Sequence, residues 1–132
     1  MKHYLLDTNT VSHVIREHSA LVAHLVSVPI ASLRISSITA GELHFGLARR
    51  PEAKRLHLAV AEFLQRVDVL PWQISTAECY GDLRATLEAQ GIVLAPLDLL
   101  IAAHTLATGS VLVSNDKAFR QVPGLDVEDW TV

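Results

Sequence analysis

The chain has 132 residues, half of them hydrophobic, with 19% charged and a formal net charge of −3 when its seven histidines are neutral. This length fits one domain of common size, able to bury roughly two-thirds of the surface its unfolded form exposes, and the composition excludes a disordered chain while leaving apolar surface for a partner. An acidic balance argues mildly against nucleic acid, which favours Lys and Arg, unless the acids gather around bound cations that reverse the local sign.

In chain order, His3-Tyr4-Leu5-Leu6 reads as a buried strand ending at Asp7. The apolar stretch after Lys2 stops there, too soon for an export leader. Asp7-Thr8-Asn9-Thr10 is rich in capping residues, and Val11, Val14 and Ile15 follow at helical spacing. A second amphipathic stretch carries Leu21, Val22, Leu25 and Val26 and ends at Pro29. Leu33-Arg34-Ile35 predicts a strand, and Ser36 to Thr39 opens a helix bearing Ile38, Leu43 and Leu47, broken by Pro51. The next helix runs from about Glu52 to Arg66, before a short strand over Val67 to Leu70. Ser75 to Gln90 is helical, with Gly91 at its C-terminal cap. Cys79, the only cysteine, has no internal partner, which points to a reducing compartment and a structural thiol. The longest apolar stretch, Ile92 to Ala103, carries Pro96 and Asp98 and is too short to span a bilayer. We therefore expect a cytoplasmic protein with no membrane contact. Leu97 to Ala107 is a mostly buried helix ending at Gly109, Val111 to Val113 a strand, and the tail from Leu125 has room for a last short one. Strands alternating with helices predict a single α/β domain, residues 1–132, with a central, mostly parallel sheet covered on both faces.

Ligands of open α/β sheets sit beyond the carboxyl ends of the strands. Asp7 follows the first strand, Asp116 follows Val111–Val113, Glu42 lies early on the third helix, and Asp98 opens the helix after Pro96. All four are expected at one edge of the domain. Each also has a plain structural role open to it. Asp7 and Asp116 can cap helices, Asp98 can favour a helix dipole, and Glu42 can complete a capping box with Thr39. Together they point elsewhere. Clustered carboxylates repel unless a cation holds them, and oxygen-only ligand sets suit Mg²⁺ or Mn²⁺ bridging to a substrate phosphate.

At these residues the chain resembles the PIN-domain family, and in particular the VapC-type toxins of bacterial toxin–antitoxin pairs. The matching segments are Leu6-Asp7-Thr8-Asn9, Ser36 to Leu43, Asp98 to His104, Ser114 to Phe119 and the tail Val122 to Trp130. No one motif is specific; their order and spacing are. The resemblance implies a three-layer PIN-like fold with Asp7, Glu42, Asp98 and Asp116 as catalytic metal ligands, supported by Asn9 and Ser114. It further implies Mg²⁺- or Mn²⁺-dependent hydrolysis of RNA, with tRNA a fair guess, through attack of water that leaves a 5′-phosphate and a 3′-hydroxyl. A homodimer, inhibition by a VapB-type antitoxin, and contact with operator DNA only through that antitoxin are implied as well.

Other residues read as structural. His13 and His18, five apart, do not share a helical face and make no zinc spacing. His104 reads as a satisfied core histidine, Trp72 and Trp130 as packing residues, and the basic cluster of Arg49, Arg50, Lys54 and Arg55 as a solvated helix end and loop. His44 is not counted in the site. Two rivals stand beside the nuclease. One is an aspartyl-phosphate phosphotransferase or phosphatase using Asp7, which wants an acid where Asn9 stands and a lysine placed as Lys117. The other is a non-catalytic, partner-binding α/β module whose acids serve only as caps.

Overall fold

A computed structural model describes all residues, 1–132. Five strands form one sheet: β1 (Tyr4–Leu6), β2 (Leu33–Ser36), β3 (Asp68–Leu70), β4 (Val111–Val113) and β5 (Val127–Glu128). Six helices connect them: α1 (Thr8–Ile15), α2 (Ser19–Ser27), α3 (Ser37–Ala48), α4 (Lys54–Arg66), α5 (Ile74–Ala89) and α6 (Pro96–Ala107). The strand order is β3-β2-β1-β4-β5, and every neighbouring pair is parallel. The chain walks from β1 to β3 in one direction, then crosses back to place β4 on the other side of β1. Strand order therefore reverses between β1 and β4, where an open α/β sheet leaves a crevice.

Side chains on a strand alternate between faces, and the last two residues of β1 and of β4 sort accordingly. Leu6 and Val113 join a core with Leu21, Ile35, Val60 and Phe63, under α1 to α4. Leu5 and Leu112 join the opposite core with Leu83, Leu87, Ile101 and Phe119, under α5 and α6. The result is three layers, helix–sheet–helix, as expected from the alternating pattern. The tail strand forms too, pairing with β4 at the edge.

Local chemistry explains most boundaries. Helix α5 ends in a Schellman arrangement, with Gly91 at φ +70° and Ile92 N–H donating to the Leu87 carbonyl at 2.9 Å. Helix α6 repeats it at Gly109, φ +62°, where Ser110 N–H donates to the Thr105 carbonyl. Pro96 stands at the first position of α6, where a missing N–H costs nothing. Val67, read from the sequence as the start of a strand, instead caps α4 and is buried in the core.

Candidate active site

Asp7 leaves β1 into the crevice between β1 and β4. Its N–H donates to the Val113 carbonyl at 3.2 Å, and its Oδ1 accepts from Thr10 N–H at 2.8 Å. Thr10 Oγ1 donates to the same Val113 carbonyl, locking α1 onto the end of β4. Asp7 is thus the N-cap of α1, and its Oδ2 has no protein partner. Across the crevice, Ser114 is buried and its Oγ accepts from Asp116 N–H at 3.0 Å. Asp116 Oδ1 caps the short 3-10 turn Lys117–Gln121 by accepting from Ala118 N–H. Asn9 makes no hydrogen bond to Asp7; the bond that orients Asp7 comes from Thr10, and Asn9 stands exposed on the cleft wall.

Asp7, Asn9, Glu42 and Asp98 line a single cleft of about 250 Å³, closed on its apolar side by Ile38, Leu97 and Ile101. Asp116 borders it closely enough for its charge to act on Asp98. Burial pushes the Asp98 carboxyl above the usual carboxylate range, and the charges of Asp116 and then Asp7 push it further. Glu42 is in the second turn of α3, not at its start: Ser36 is the N-cap, accepting from Ile38 N–H at 3.0 Å. The capping box with Thr39 therefore does not form, and Glu42 has no local structural duty. None of the four acids pairs with a cation, the ion pairs being Lys2–Glu128 and Arg84–Glu88. As the side chains stand, no three of these acids converge closely enough to hold an ion. They share a cleft and face one another's charge without closing on a common point.

Helices α3 and α6, which carry Glu42 and Asp98, are joined behind the cleft. The hydroxyl of Ser36 meets fully buried His104 Nδ1 at 2.7 Å. The same oxygen accepts from Ile38 N–H, so it joins the start of α3 to the buried ring. Nε2 has no hydrogen-bond partner, although the Pro71 carbonyl acts on the ring. His104 is therefore half satisfied, a correction to the expected fully satisfied core histidine. Burial, with the charge of Arg34, outweighs that carbonyl and lowers its pKa, keeping the ring neutral. Trp72 packs edge-on to His104 at 5.3 Å and Trp130 is buried in the other core, so both tryptophans are packing residues as read. Burial, with Asp82, raises the Cys79 thiol pKa, so it is no activated nucleophile. His13 and His18 do approach, with rings 5.6 Å apart. The helical-face argument missed this because α1 ends at Ile15 and the chain reverses through Glu17 at φ +60°. His18 Nδ1 is used to cap α2, and no third ligand joins the pair.

A family model described as PIN domain matches residues 4–125. The chain is 33% identical over 131 residues to Ribonuclease VapC2 of Haemophilus influenzae, covering 98% of this chain and 99% of that one. It is 35% identical over 133 residues to the tRNA(fMet)-specific endonuclease VapC of Shigella flexneri, covering 99% and 100%. The chain belongs to the PIN-domain family and, within it, to the VapC ribonucleases. The DNA-bound VapBC structure from Salmonella typhimurium superposes on this PIN domain with a TM-score of 0.90 at 32% identity, covering 98% of this chain and 99% of that one. The PIN domain also carries a second, larger groove of about 570 Å³ between α1, α2 and α4, lined mostly by aliphatic side chains such as Val22, Leu25 and Val28. No helix is long and apolar enough to cross a membrane.

Proposed function

We propose that this PIN domain is an endoribonuclease toxin that hydrolyses RNA phosphodiester bonds with Mg²⁺ or Mn²⁺, and that a VapB-type antitoxin neutralises it. One observation carries the metal reading. Four carboxylates from four separate chain segments face one cleft edge with no cation among them, and Asp98 is held half-buried under the charges of two others. Such an arrangement is costly unless a positive charge completes it. All-oxygen donors fit a hard divalent ion.

Asp7 and Asp98 are the proposed principal ligands, with Glu42 and Asp116 completing the site. A bound divalent ion would polarise the phosphodiester and favour hydroxide over water. The chain's own part is positional. Thr10 N–H fixes one oxygen of Asp7 and leaves the other free; Ser114 sets the backbone at Asp116; the Ser36–His104 bond ties the helices of Glu42 and Asp98 together. Ile38, Leu97 and Ile101 exclude water from one side. The apolar groove between α1, α2 and α4 offers an antitoxin segment surface to bury. Structured RNA is the proposed substrate class, tRNA foremost given the printed specificity of the Shigella relative. We place the toxin in the cytoplasm, as a single-domain homodimer that meets operator DNA through its antitoxin. A phosphotransferase at Asp7 is disfavoured because that chemistry wants a second acid two residues on, where this chain has Asn9. Sequencing RNA ends after inducing the wild-type chain and Asp7→Ala tests the proposal. Discrete metal-dependent cuts, lost in the variant, are expected; cuts by both chains, or persistence in EDTA, would refute it.

A further inference from the structure

The acid cleft does not stop at Glu42. Thr8, Asn9 and Glu42 form a shared wall with a neighbouring cleft of about 320 Å³ between α1, α3 and α4, and the far side of that cleft holds Arg16 and Arg50. Neither arginine has a carboxylate within ion-pair distance, although Glu42 lines the same cleft. Both stand on well-anchored backbone. The Arg50 carbonyl accepts from Ala53 N–H at 3.1 Å and meets His57 Nε2 at 2.9 Å, and Arg16 N–H donates to the Ser12 carbonyl at the end of α1. Glu42 lies in α3 and Arg50 is the residue just after its C-cap, Arg49, so the two stand toward opposite ends of the cleft wall that α3 forms.

We infer that Arg16 and Arg50 bind backbone phosphates of the RNA strand flanking the scissile bond, so that the strand runs over α3 from the arginines to the acids. This rests on the nuclease reading above and adds its substrate-holding site. A chain of net charge −3 has no general attraction for a polyanion, so affinity must come from local cations. Unpaired guanidinium forks match phosphate oxygens two at a time. Arg50, part of the cluster read from sequence as solvated loop, is set apart from Lys54 and Arg55 by lining this cleft.

Binding of a labelled single-stranded oligoribonucleotide of about ten nucleotides to the Asp98→Asn chain, over a range of salt concentrations, tests it. Adding Arg16→Ala or Arg50→Ala is expected to weaken binding about tenfold each and to flatten the slope of log affinity against log salt by about 0.7 per lost phosphate. Arg50→Lys should restore the slope and only part of the affinity. Arg84→Ala, whose guanidinium is already paired with Glu88 on α5, should change neither. The inference is overturned if the parent fails to bind, if the Arg16 and Arg50 variants keep its affinity and slope, or if they lose only a co-expressed antitoxin. A merely structural role would move the melting temperature and leave the salt slope alone. Cleavage by the chain with Asp98 intact, measured in parallel, reports separately on the nuclease reading: wild-type chain that binds RNA through the arginines yet never cuts it would sink that reading and spare this one.

Discussion

Burial raises the Asp98 carboxyl pKa, and the neighbouring charges of Asp116 and Asp7 add to the shift. A carboxyl with a raised folded pKa favours the native state fully only below its unfolded pKa, and that contribution is lost as pH rises through the folded value. At neutral pH the ionised Asp98 therefore burdens the metal-free protein. Asp98→Asn is expected to raise the melting temperature in EDTA at pH 7, and the gain should vanish in acid, where both side chains are neutral. The same substitution should abolish catalysis. Changes merely beside a metal ligand cost about 10–100-fold, so loss of a proposed ligand should cost at least that much in RNA cleavage. A variant both more stable and inactive would distinguish a functional carboxylate from a helix-dipole residue, whose loss destabilises.

Helix ends hold this fold in register, and two of them carry testable weight. Ser36 caps α3 and is hydrogen-bonded to His104 Nδ1. Ser36→Ala removes the cap, about 1 kcal/mol, and strands a buried ring nitrogen, about 1–3 kcal/mol more; urea denaturation should report the combined loss. Because the bond joins the helices of Glu42 and Asp98, cleavage should fall as well, even at temperatures where the variant is fully folded. Glycines separate by backbone conformation. Gly109→Ala, forced to φ +62°, should cost about 1 kcal/mol. Gly81→Ala, in the middle of α5 with nothing within 4 Å of an added Cβ, should stabilise by about 0.5–1 kcal/mol. The opposite order in thermal melts would contradict the positions of these helix ends.

For the whole molecule, the proposed metal site would couple ion binding to stability. An ion that binds only the folded chain stabilises it by mass action, so Mn²⁺ or Mg²⁺ should raise the melting temperature of the wild-type chain with concentration. Ca²⁺-free buffer containing EDTA should return it to baseline, and Asp98→Asn should respond weakly or not at all. An equal rise in both chains would move the ion away from Asp98.

Much of the design is readable along the chain. The apolar runs at Leu5-Leu6, followed at once by Asp7, and Val111 to Val113, followed by Ser114-Asn115-Asp116, announce buried parallel strands whose ends carry acids. Gly91 and Gly109 mark helix ends, because few other residues tolerate left-handed backbone. Capping and periodicity are local properties, so local residues suffice to state them. Contacts between distant segments are different in kind. The tie from Ser36 to His104 spans 68 residues. The course of Arg16 and Arg50 toward the acid cleft likewise depends on how α1 and α3 pack. Those outcomes follow from packing two cores onto opposite faces of one sheet, which decides which helix faces meet. A periodic pattern states that a face is apolar; only closure of the three layers decides what it lies against.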